Sequence, residues 1–230
     1  MHLTPANEQR LKRVTLGNDP IEIHKISNIF SAPEAEIEAA AAAQFEQINP
    51  HYPGIRAPVS DALLQELCGL VSTLLGGPGP DTNRTWDGQA WYSIVTHAPQ
   101  DLTPIQRLPH FDGFDEDQVA IMIYLNQSGH GGTAFFQQAA TGYERISEAR
   151  YPAYKRALET SIARTGLPAA NYISDGAPHF HLLGASEPDF NSLILYPGNA
   201  LHSGVIRNDL PLPADPRTGR LTLNGFFKPR

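Results

Sequence analysis

The sequence has little cysteine, little excess of basic charge and no long apolar run. A single cysteine, Cys68, excludes an internal disulfide and is compatible with a reducing cytoplasm. No stretch of 18 apolar residues occurs, so we predict no membrane-spanning helix and no membrane partner. The 17 basic residues are outnumbered by 24 acidic ones, and the net charge of −7 argues against a nucleic-acid partner. These absences predict a cytoplasmic protein and leave its oligomeric state open.

Several common catalytic motifs are also missing. We find no serine nucleophile elbow with a His and Asp partner, no glycine-rich phosphate loop and no cysteine-rich zinc motif. What remains is a chain with 20 prolines and 19 glycines, which favours a loop-rich β architecture over a helical bundle. Its 230 residues suffice for one buried core, and no linker divides them. We predict one domain over 1–230, with helical support in 1–89 and a β core in 90–230.

The predicted elements follow hydrophobic periodicity and turn residues. Helices are predicted at 31–47, opened by a capping box at Ser31 and Glu34, at 60–75, stopped by Gly76-Gly77, and at 151–163. Strands are predicted at Ile21–Ile23, 90–95, 119–125, 133–136, 192–196, 204–206 and 221–227. An insert at 137–191 contains the third helix and a stretch, 171–181, that is typical of an ordered loop. Long inserts of this kind are often lids or binding loops.

A His-x-Asp pair and a distant histidine are the main chemical signal. His110 and Asp112 lie at i and i+2, so in an extended segment their side chains point the same way. His202 follows much later, in the stretch Tyr196-Pro-Gly-Asn-Ala-Leu-His-Ser-Gly204. Two imidazoles and one carboxylate can cover one face of a metal ion and leave the opposite face open, as in non-haem Fe(II) oxygenases.

The contexts of these residues carry a family resemblance. The motifs are Trp91-Tyr-Ser93, His110-Phe-Asp112, Ile123-Tyr-Leu-Asn126, Gly131-Gly-Thr-Ala-Phe135, Leu193 through Gly204, and Gly219-Arg-Leu-Thr-Leu223. In order and context they resemble the Fe(II)- and 2-oxoglutarate-dependent dioxygenases, in particular their prolyl-hydroxylase-like branch. The resemblance covers roughly the C-terminal 140 residues.

This resemblance implies a fold, a set of cofactors and a ligand set. The fold would be a mainly β double-stranded β-helix (a jelly roll, cupin-like) buttressed by N-terminal helices. The cofactors would be Fe(II), with 2-oxoglutarate and O2 as cosubstrates. His110, Asp112 and His202 would hold the iron, and Arg220 would grip the distal carboxylate of 2-oxoglutarate. Tyr92 or Tyr124 would hydrogen-bond the cosubstrate.

Arg220 has a competitor for the carboxylate. It lies farther beyond the second histidine than is usual in the family, after a loop rich in Pro and Asp, whereas Arg207 lies five residues past it. We favour Arg220, because strand alternation would place Thr222 and Asn224 beside it on a polar interior face and Leu221 on the other. Thr222 is therefore a further cosubstrate candidate, although a solvent-exposed polar face would explain these residues as well. Arg207 would lie at the rim, within reach of solvent or substrate.

The substrate is predicted less directly. The segment His51–Arg56 is either a simple Pro-Gly turn or a substrate site, with His51, Tyr52 and Arg56 as contacts, since Arg and Tyr suit carboxylate binding. His179 and His181 fit structural or lid roles better than a second metal pair, because no carboxylate lies at matching spacing. We predict C–H oxidation of a small molecule, an amino acid or its derivative. The alternatives are a peptidyl hydroxylase and a cupin-like metal protein that does not use 2-oxoglutarate.

Overall fold

The fold is mainly β. The computed structural model describes residues 3–4, 10–75, 85–173, 175–176 and 178–230. The described strands are β1 (Leu11–Leu16), β2 (Ile21–Ser27), β3 (Gly54–Pro58), β4 (Trp86–Val95), β5 (Val119–Tyr124), β6 (Thr133–Gln138), β7 (Phe180–Ser186), β8 (Ser192–Pro197), β9 (His202–Gly204) and β10 (Leu221–Pro229). The α-helices are α1 (Pro33–Ala42), α2 (Asp61–Leu75) and α3 (Tyr151–Thr165).

The strands form two antiparallel sheets. The larger has the order β1-β2-β8-β5-β10-β4-β3, and the smaller has the order β7-β6-β9. An isolated bridge between His110 and His202 extends the smaller sheet beyond β9. From β4 onward the chain passes repeatedly between the two sheets, which is consistent with the double-stranded β-helix that the resemblance implies.

The helix α2 covers the outer face of the larger sheet. Ser60 accepts a hydrogen bond from the Leu63 backbone N–H at 3.2 Å, so a serine cap begins the helix close to its predicted start at residue 60. Its buried side chains follow the helical period: Leu63, Leu67, Leu70, Val71 and Leu74. They pack against the outward-facing residues of β4, β5, β8 and β10 in the largest apolar cluster of the described chain. The predicted stop at Gly76-Gly77 lies outside the described residues.

The strand β10 has one apolar face and one polar face. Leu221 and Leu223 are fully buried in the cluster beneath the helices. Thr222 and Asn224 point to the opposite side, between the two sheets, where Arg220 also lies just before the strand. The predicted alternation is therefore confirmed, and the polar face is buried rather than exposed to solvent.

The N-terminal third differs from the prediction of purely helical support. It contributes β1, β2 and β3 to the larger sheet in addition to two helices. The predicted turn at Pro53-Gly54 leads directly into the edge strand β3, which pairs with β4. Glycine is required at position 54, because a Cβ there would lie 2.0 Å from the Ile94 carbonyl oxygen.

Two further boundaries were predicted wrongly. The helix α1 ends at Ala42 rather than at residue 47, because Ala43 adopts an extended conformation. The chain then runs to Glu46, whose backbone exchanges hydrogen bonds with Arg56 at 2.9 and 3.0 Å. In the insert, part of the stretch predicted as a loop is the strand β7, which pairs with β6. In both places pairing with a distant strand decides the local conformation.

None of the helices in the described residues is both long enough and apolar enough to span a membrane.

Candidate metal centre and its cavity

Backbone pairing brings His110 and His202 together. The His110 N–H donates to the His202 carbonyl at 2.9 Å, and the His202 N–H donates to the His110 carbonyl at 2.8 Å. Side chains of directly paired residues project from the same face of a strand pair. The two imidazole centroids accordingly lie 4.3 Å apart. Main-chain hydrogen bonds therefore bring together two histidines that lie far apart in the sequence.

Asp112 completes the cluster from the same segment as His110. Its N–H donates to the Gly198 carbonyl at 2.7 Å, which fixes the extended backbone between the i and i+2 side chains. Its carboxylate oxygens lie 3.8 Å from the His110 Nε2 and 3.7 Å from the His202 Nε2. One ligand atom from each of the three residues lies within 4.8 Å of the other two, and no other such cluster occurs in the described chain.

The hydrogen bonding around the cluster suits a cation. The His202 Nδ1 lies 2.9 Å from the Ala200 carbonyl, which can only accept, so Nδ1 is the donor and Nε2 is directed at Asp112. Desolvation in the cavity and the neighbouring His202 lower the pKa of His110 well below its usual value. One buried oxygen of Asp112, Oδ2, has no hydrogen-bond partner. A buried carboxylate oxygen without a partner is costly unless a cation is bound to it.

The three residues line a cavity between the two sheets. Its volume is about 650 Å³, within the range of roughly 300–1,000 Å³ that small-molecule sites occupy. The His110 side chain is 55% accessible through the cavity, whereas those of Asp112 and His202 are 8% and 4% accessible. The walls come from the segment around β3, from the inner faces of β5 and β10, and from one face of α3. Both regions predicted as the substrate mouth, 51–56 and 137–191, thus contribute to it.

Arg220 lies in the wall of this cavity. Its side chain is almost completely buried, and its Nη2 donates to the carbonyls of Gly131 and Gly132 at 3.3 and 3.2 Å. Its Nε has no hydrogen-bond partner. Within the described residues, no acidic side chain forms an ion pair with Arg220. The nearest charged or titratable groups are the phenols of Tyr52, Tyr124 and Tyr172.

The strand β3 and the residues just before it contribute His51, Tyr52 and Arg56 to the same cavity. The Tyr52 hydroxyl is buried beside Ser93 and Thr222, without a well-formed hydrogen bond to either, and it lies near Arg220. The Arg56 guanidinium carbon lies 4.1 Å from the centroid of the Tyr52 ring and 5.7 Å from that of Trp91. His51 lines the cavity from an exposed position.

A family model matches residues 7–227 of the chain, almost its whole length. The description of that family is "Family of unknown function (DUF6445)". The chain belongs to the DUF6445 family. No curated protein matches this DUF6445 member.

Some solved structures resemble the DUF6445 chain at low identity. One is HygX from Streptomyces hygroscopicus with nickel and 2-oxoglutarate bound, at 11% identity and a TM-score of 0.49, covering 90% of this chain and 82% of that one. Another is the non-haem α-ketoglutarate-dependent epimerase SnoN from nogalamycin biosynthesis, at 11% identity and a TM-score of 0.48, covering 89% of this chain and 76% of that one. An iron-bound structure of HygX matches at 13% identity, with a TM-score of 0.47 and coverage of 90% and 81%.

The Tyr92 side chain does not face the cavity, so the prediction that it contacts the cosubstrate was wrong. It points to the helix-covered side of β4, where its hydroxyl donates to the Glu36 Oε2 of α1 at 2.9 Å. Its neighbours in sequence, Trp91 and Ser93, take the opposite face. Register alone decides which of these side chains faces inward, and a shift by one residue exchanges the two faces.

Tyr124 and Thr222 lie behind the cavity wall rather than in it. The Tyr124 hydroxyl is fully buried and lies 2.9 Å from the Thr133 Oγ1 and 3.1 Å from the Ser186 Oγ. The Thr222 Oγ1 donates to the Asn224 Oδ1 at 2.9 Å. Neither residue lines the cavity. Both are placed to support the residues around Arg220, and their direct contact with a cosubstrate stays a prediction.

Arg207, predicted to lie at the rim within reach of solvent or substrate, is exposed and pairs with Asp209 through an Nη2–Oδ2 distance of 2.6 Å. It does not line the cavity, which fits contact with solvent. His179 is buried, with its ring nitrogens 2.8 Å from the Ser161 Oγ and 3.1 Å from the Gly166 carbonyl, so it anchors the end of α3. His181 is exposed on β7. The structural role predicted for His179 fits these contacts.

Several lining residues were missed by sequence reasoning. They include Tyr172, Tyr196 and Phe226, together with Tyr151, Tyr154, Leu158 and Ile162 on one face of α3. The helix face had a readable signal, since its members recur at three- and four-residue intervals on an otherwise polar helix. The strand residues had none, because their inward orientation depends on register.

Proposed function

We propose that this protein is a non-haem Fe(II)- and 2-oxoglutarate-dependent oxygenase that oxidises a C–H bond of a small molecule. The observation that carries the proposal is the pairing of two features in one cavity. Three metal-ligating side chains converge there, and an almost fully buried arginine without an acidic partner lies in the same wall. A metal site alone would also suit a hydrolase or an isomerase, and a buried arginine alone would suit many anion-binding proteins. Together they provide for a metal and a carboxylate-bearing cosubstrate.

The metal would be held by His110, Asp112 and His202. Two imidazoles and one carboxylate are the ligand set that Fe(II) takes in facial-triad oxygenases. The partnerless Asp112 Oδ2 and the Nδ1–H bond of His202 to a carbonyl support this assignment. Bound Fe(II) supplies O2 activation coupled to oxidative decarboxylation of 2-oxoglutarate, while the protein orients the substrate and excludes water.

Arg220 would bind the distal carboxylate of 2-oxoglutarate. Its planar guanidinium can make two charge-assisted hydrogen bonds to one carboxylate, and its free Nε is available for this. The two carbonyls that accept from its Nη2 hold it in place. Tyr52 lines the same cavity, and the charges of Arg56 and Arg220 both oppose the rise in its pKa that burial causes. We assign its hydroxyl to the cosubstrate end of the cavity. Tyr124 and Thr222 would act as supports.

The substrate would enter between α3 and the segment before β3. A cavity of about 650 Å³ suits an amino acid or amino-acid derivative together with the cosubstrate. We further propose that 1–230 is one oxygenase domain with a jelly-roll core, in which the insert 137–191 closes one side of the mouth. A peptidyl substrate and a cupin-like protein without 2-oxoglutarate use are the alternatives that the following experiment distinguishes.

The test is an anaerobic titration of the protein with Fe(II) and then 2-oxoglutarate. We expect a weak visible charge-transfer band that requires both additions, and a binding isotherm for 2-oxoglutarate that requires the metal. Succinate should form only after O2 is admitted. Metal binding without 2-oxoglutarate binding would favour the cupin-like alternative, and absence of metal binding would overturn the proposal. Oxidation of peptides but of no free amino acid would favour a peptidyl hydroxylase.

A further inference from the structure

The cavity contains a second arginine whose charge the proposed reaction does not use. Arg56 projects from β3 into the cavity wall, and its guanidinium packs over the Tyr52 ring, with Trp91 nearby. Its buried Nε has no hydrogen-bond partner. In the described chain no acidic side chain forms an ion pair with Arg56.

The aromatic contacts hold the Arg56 guanidinium in position but do not neutralise its charge. Stacking on an aromatic face stabilises and orients the cation, but its hydrogen-bond donors stay directed along the guanidinium plane. Burial lowers the pKa of Arg56, and the neighbouring Tyr52 and Asp112 oppose this. A partly desolvated cation with unused donors is costly in the free protein, and an anion that binds there would offset the cost.

A count of the charges in the cavity leaves one positive charge without a counterion. This count rests on the proposed function. Summed over the cavity, a divalent ion, Arg220 and Arg56 would contribute four positive charges, and the dianion of 2-oxoglutarate and the carboxylate of Asp112 would contribute three negative ones. At the cavity mouth, Lys155 and Glu159 form their own pair, with an Nζ–Oε1 distance of 3.9 Å. One positive charge therefore remains for the substrate, and Arg56 is the guanidinium that the proposed cosubstrate does not use.

The rest of the cavity wall indicates what the anion is attached to. Most of its accessible surface is apolar, and the apolar side chains include Ile105, Phe111, Leu158, Ile162 and Phe226. Phe111 contacts both Tyr151 and Tyr154 of α3 at centroid distances of 6.1 and 6.0 Å, so an aromatic cluster closes this side. Such a surface favours a ligand with an apolar body.

We propose that Arg56 is a specificity-determining residue that binds a carboxylate of the substrate, and that the substrate is a free carboxylic acid with an apolar or aromatic body. The planar fork matches a carboxylate, which can accept two parallel hydrogen bonds from it. An internal residue of a peptide carries no such group, so this inference favours a free small molecule over a peptide.

Binding measurements test the inference without turnover. The protein is loaded anaerobically with Fe(II) and 2-oxoglutarate and titrated calorimetrically with phenylacetate, 3-phenylpropionate and 4-phenylbutyrate. Each acid is paired with its neutral primary amide, which has nearly the same shape. We expect at least one acid to bind about tenfold or more tightly than its amide, because the amide cannot form the charge-assisted pair with Arg56. A tenfold difference in affinity corresponds to about 1.4 kcal/mol.

Variants then assign the preference to Arg56. Arg56→Gln should abolish the preference of acid over amide and leave 2-oxoglutarate affinity within about threefold of wild type. Arg56→Lys should retain part of it, because the charge remains and the fork is lost. Arg207→Gln, outside the cavity, is the matched control and should change neither. Thermal unfolding of each variant checks that β3 remains paired.

The possible failures are distinguishable. If 2-oxoglutarate binds but no acid is preferred over its amide, the inference on Arg56 is wrong and the proposed function stands. If Arg56→Gln weakens 2-oxoglutarate and the acids equally, Arg56 belongs to the cosubstrate site and the inference is overturned. If 2-oxoglutarate does not bind the metal-loaded wild type, the proposed function and the charge argument fall together.

Discussion

The two faces of the larger sheet differ in what their buried residues contact. On the helix-covered face, most buried side chains are apolar and packed, and the Tyr92 hydroxyl is paired with Glu36, although the buried Nδ1 of His24 has no partner. On the face toward the smaller sheet, Arg220 is equally buried and yet keeps an Nε without a partner. Unsatisfied buried polar groups are rare in folded proteins, and a bound ligand can satisfy them. The comparison separates a face that stabilises the fold from a face arranged to bind ligands.

The largest effect is expected at the metal ligands. His110→Ala should remove Fe(II) binding to the point where no turnover is measurable, because two remaining ligands hold the ion poorly. The melting temperature of the metal-free protein should stay close to wild type, since the side chain opens into the cavity and the bridge to His202 is made by the backbone. Equilibrium dialysis with Fe(II) and calorimetry measure the two quantities. His181→Ala, at an exposed histidine, is the control.

The helix-covered face should respond in the opposite way. Leu67→Ala truncates a fully buried side chain of α2, and it should lower the free energy of unfolding by about 2–5 kcal/mol. Fe(II) affinity of the folded variant should not change. Urea unfolding measures the loss, and Gln65→Ala on the exposed side of the same helix should cost little. A large loss of metal affinity in folded Leu67→Ala would show that the two faces are not independent.

Arg220 gives the next effect, on the binding face. Arg220→Ala should raise the dissociation constant of 2-oxoglutarate by about two orders of magnitude or more, because removing one partner of a buried charge pair costs about 3–5 kcal/mol and each tenfold is about 1.4 kcal/mol. Titration of the Fe(II)-loaded protein under anaerobic conditions measures it. Arg207→Ala, with its exposed pair to Asp209, should change the constant little. The reverse ranking would place the cosubstrate outside this wall.

The contrast also explains what the sequence could predict. The convergence of His110 and Asp112 depends only on the two-residue period of an extended segment, and the faces of β10 follow from the same period. The inclusion of His202 in the metal cluster and the role of Arg220 came from the family resemblance, because no local pattern joins positions so far apart in the sequence. The start of α2 near residue 60 could be predicted, and the cap that Ser60 provides there is a local interaction with Leu63.

Features set by long-range pairing could not be predicted. The strand β3 begins at Gly54, directly after Pro53, although a Pro-Gly pair favours a turn. The strand forms because β4 offers a free edge with which it can pair. The early end of α1 has the same origin, in the backbone pairing of Glu46 with Arg56. The orientation of Tyr92 depends on the register of β4 against β10, and nothing local determines it.

Tyr92 provides the smallest effect and the finest test of the comparison. Tyr92→Phe removes the hydrogen bond to Glu36 and should lower the free energy of unfolding by about 1–2 kcal/mol. It should leave 2-oxoglutarate affinity unchanged, because the ring lies on the helix-covered face.

Tyr52→Phe is the matched variant on the other face. Its hydroxyl lies near Arg220 and has no well-formed hydrogen bond in the folded chain, so its loss should hardly affect stability. It should weaken 2-oxoglutarate binding by about tenfold or less, the value of about one hydrogen bond. For each of the two variants, urea unfolding measures the free energy of unfolding, and anaerobic titration measures the affinity for 2-oxoglutarate. If Tyr92→Phe weakened the cosubstrate and Tyr52→Phe did not, the register of β4 against β10 would be off by one residue.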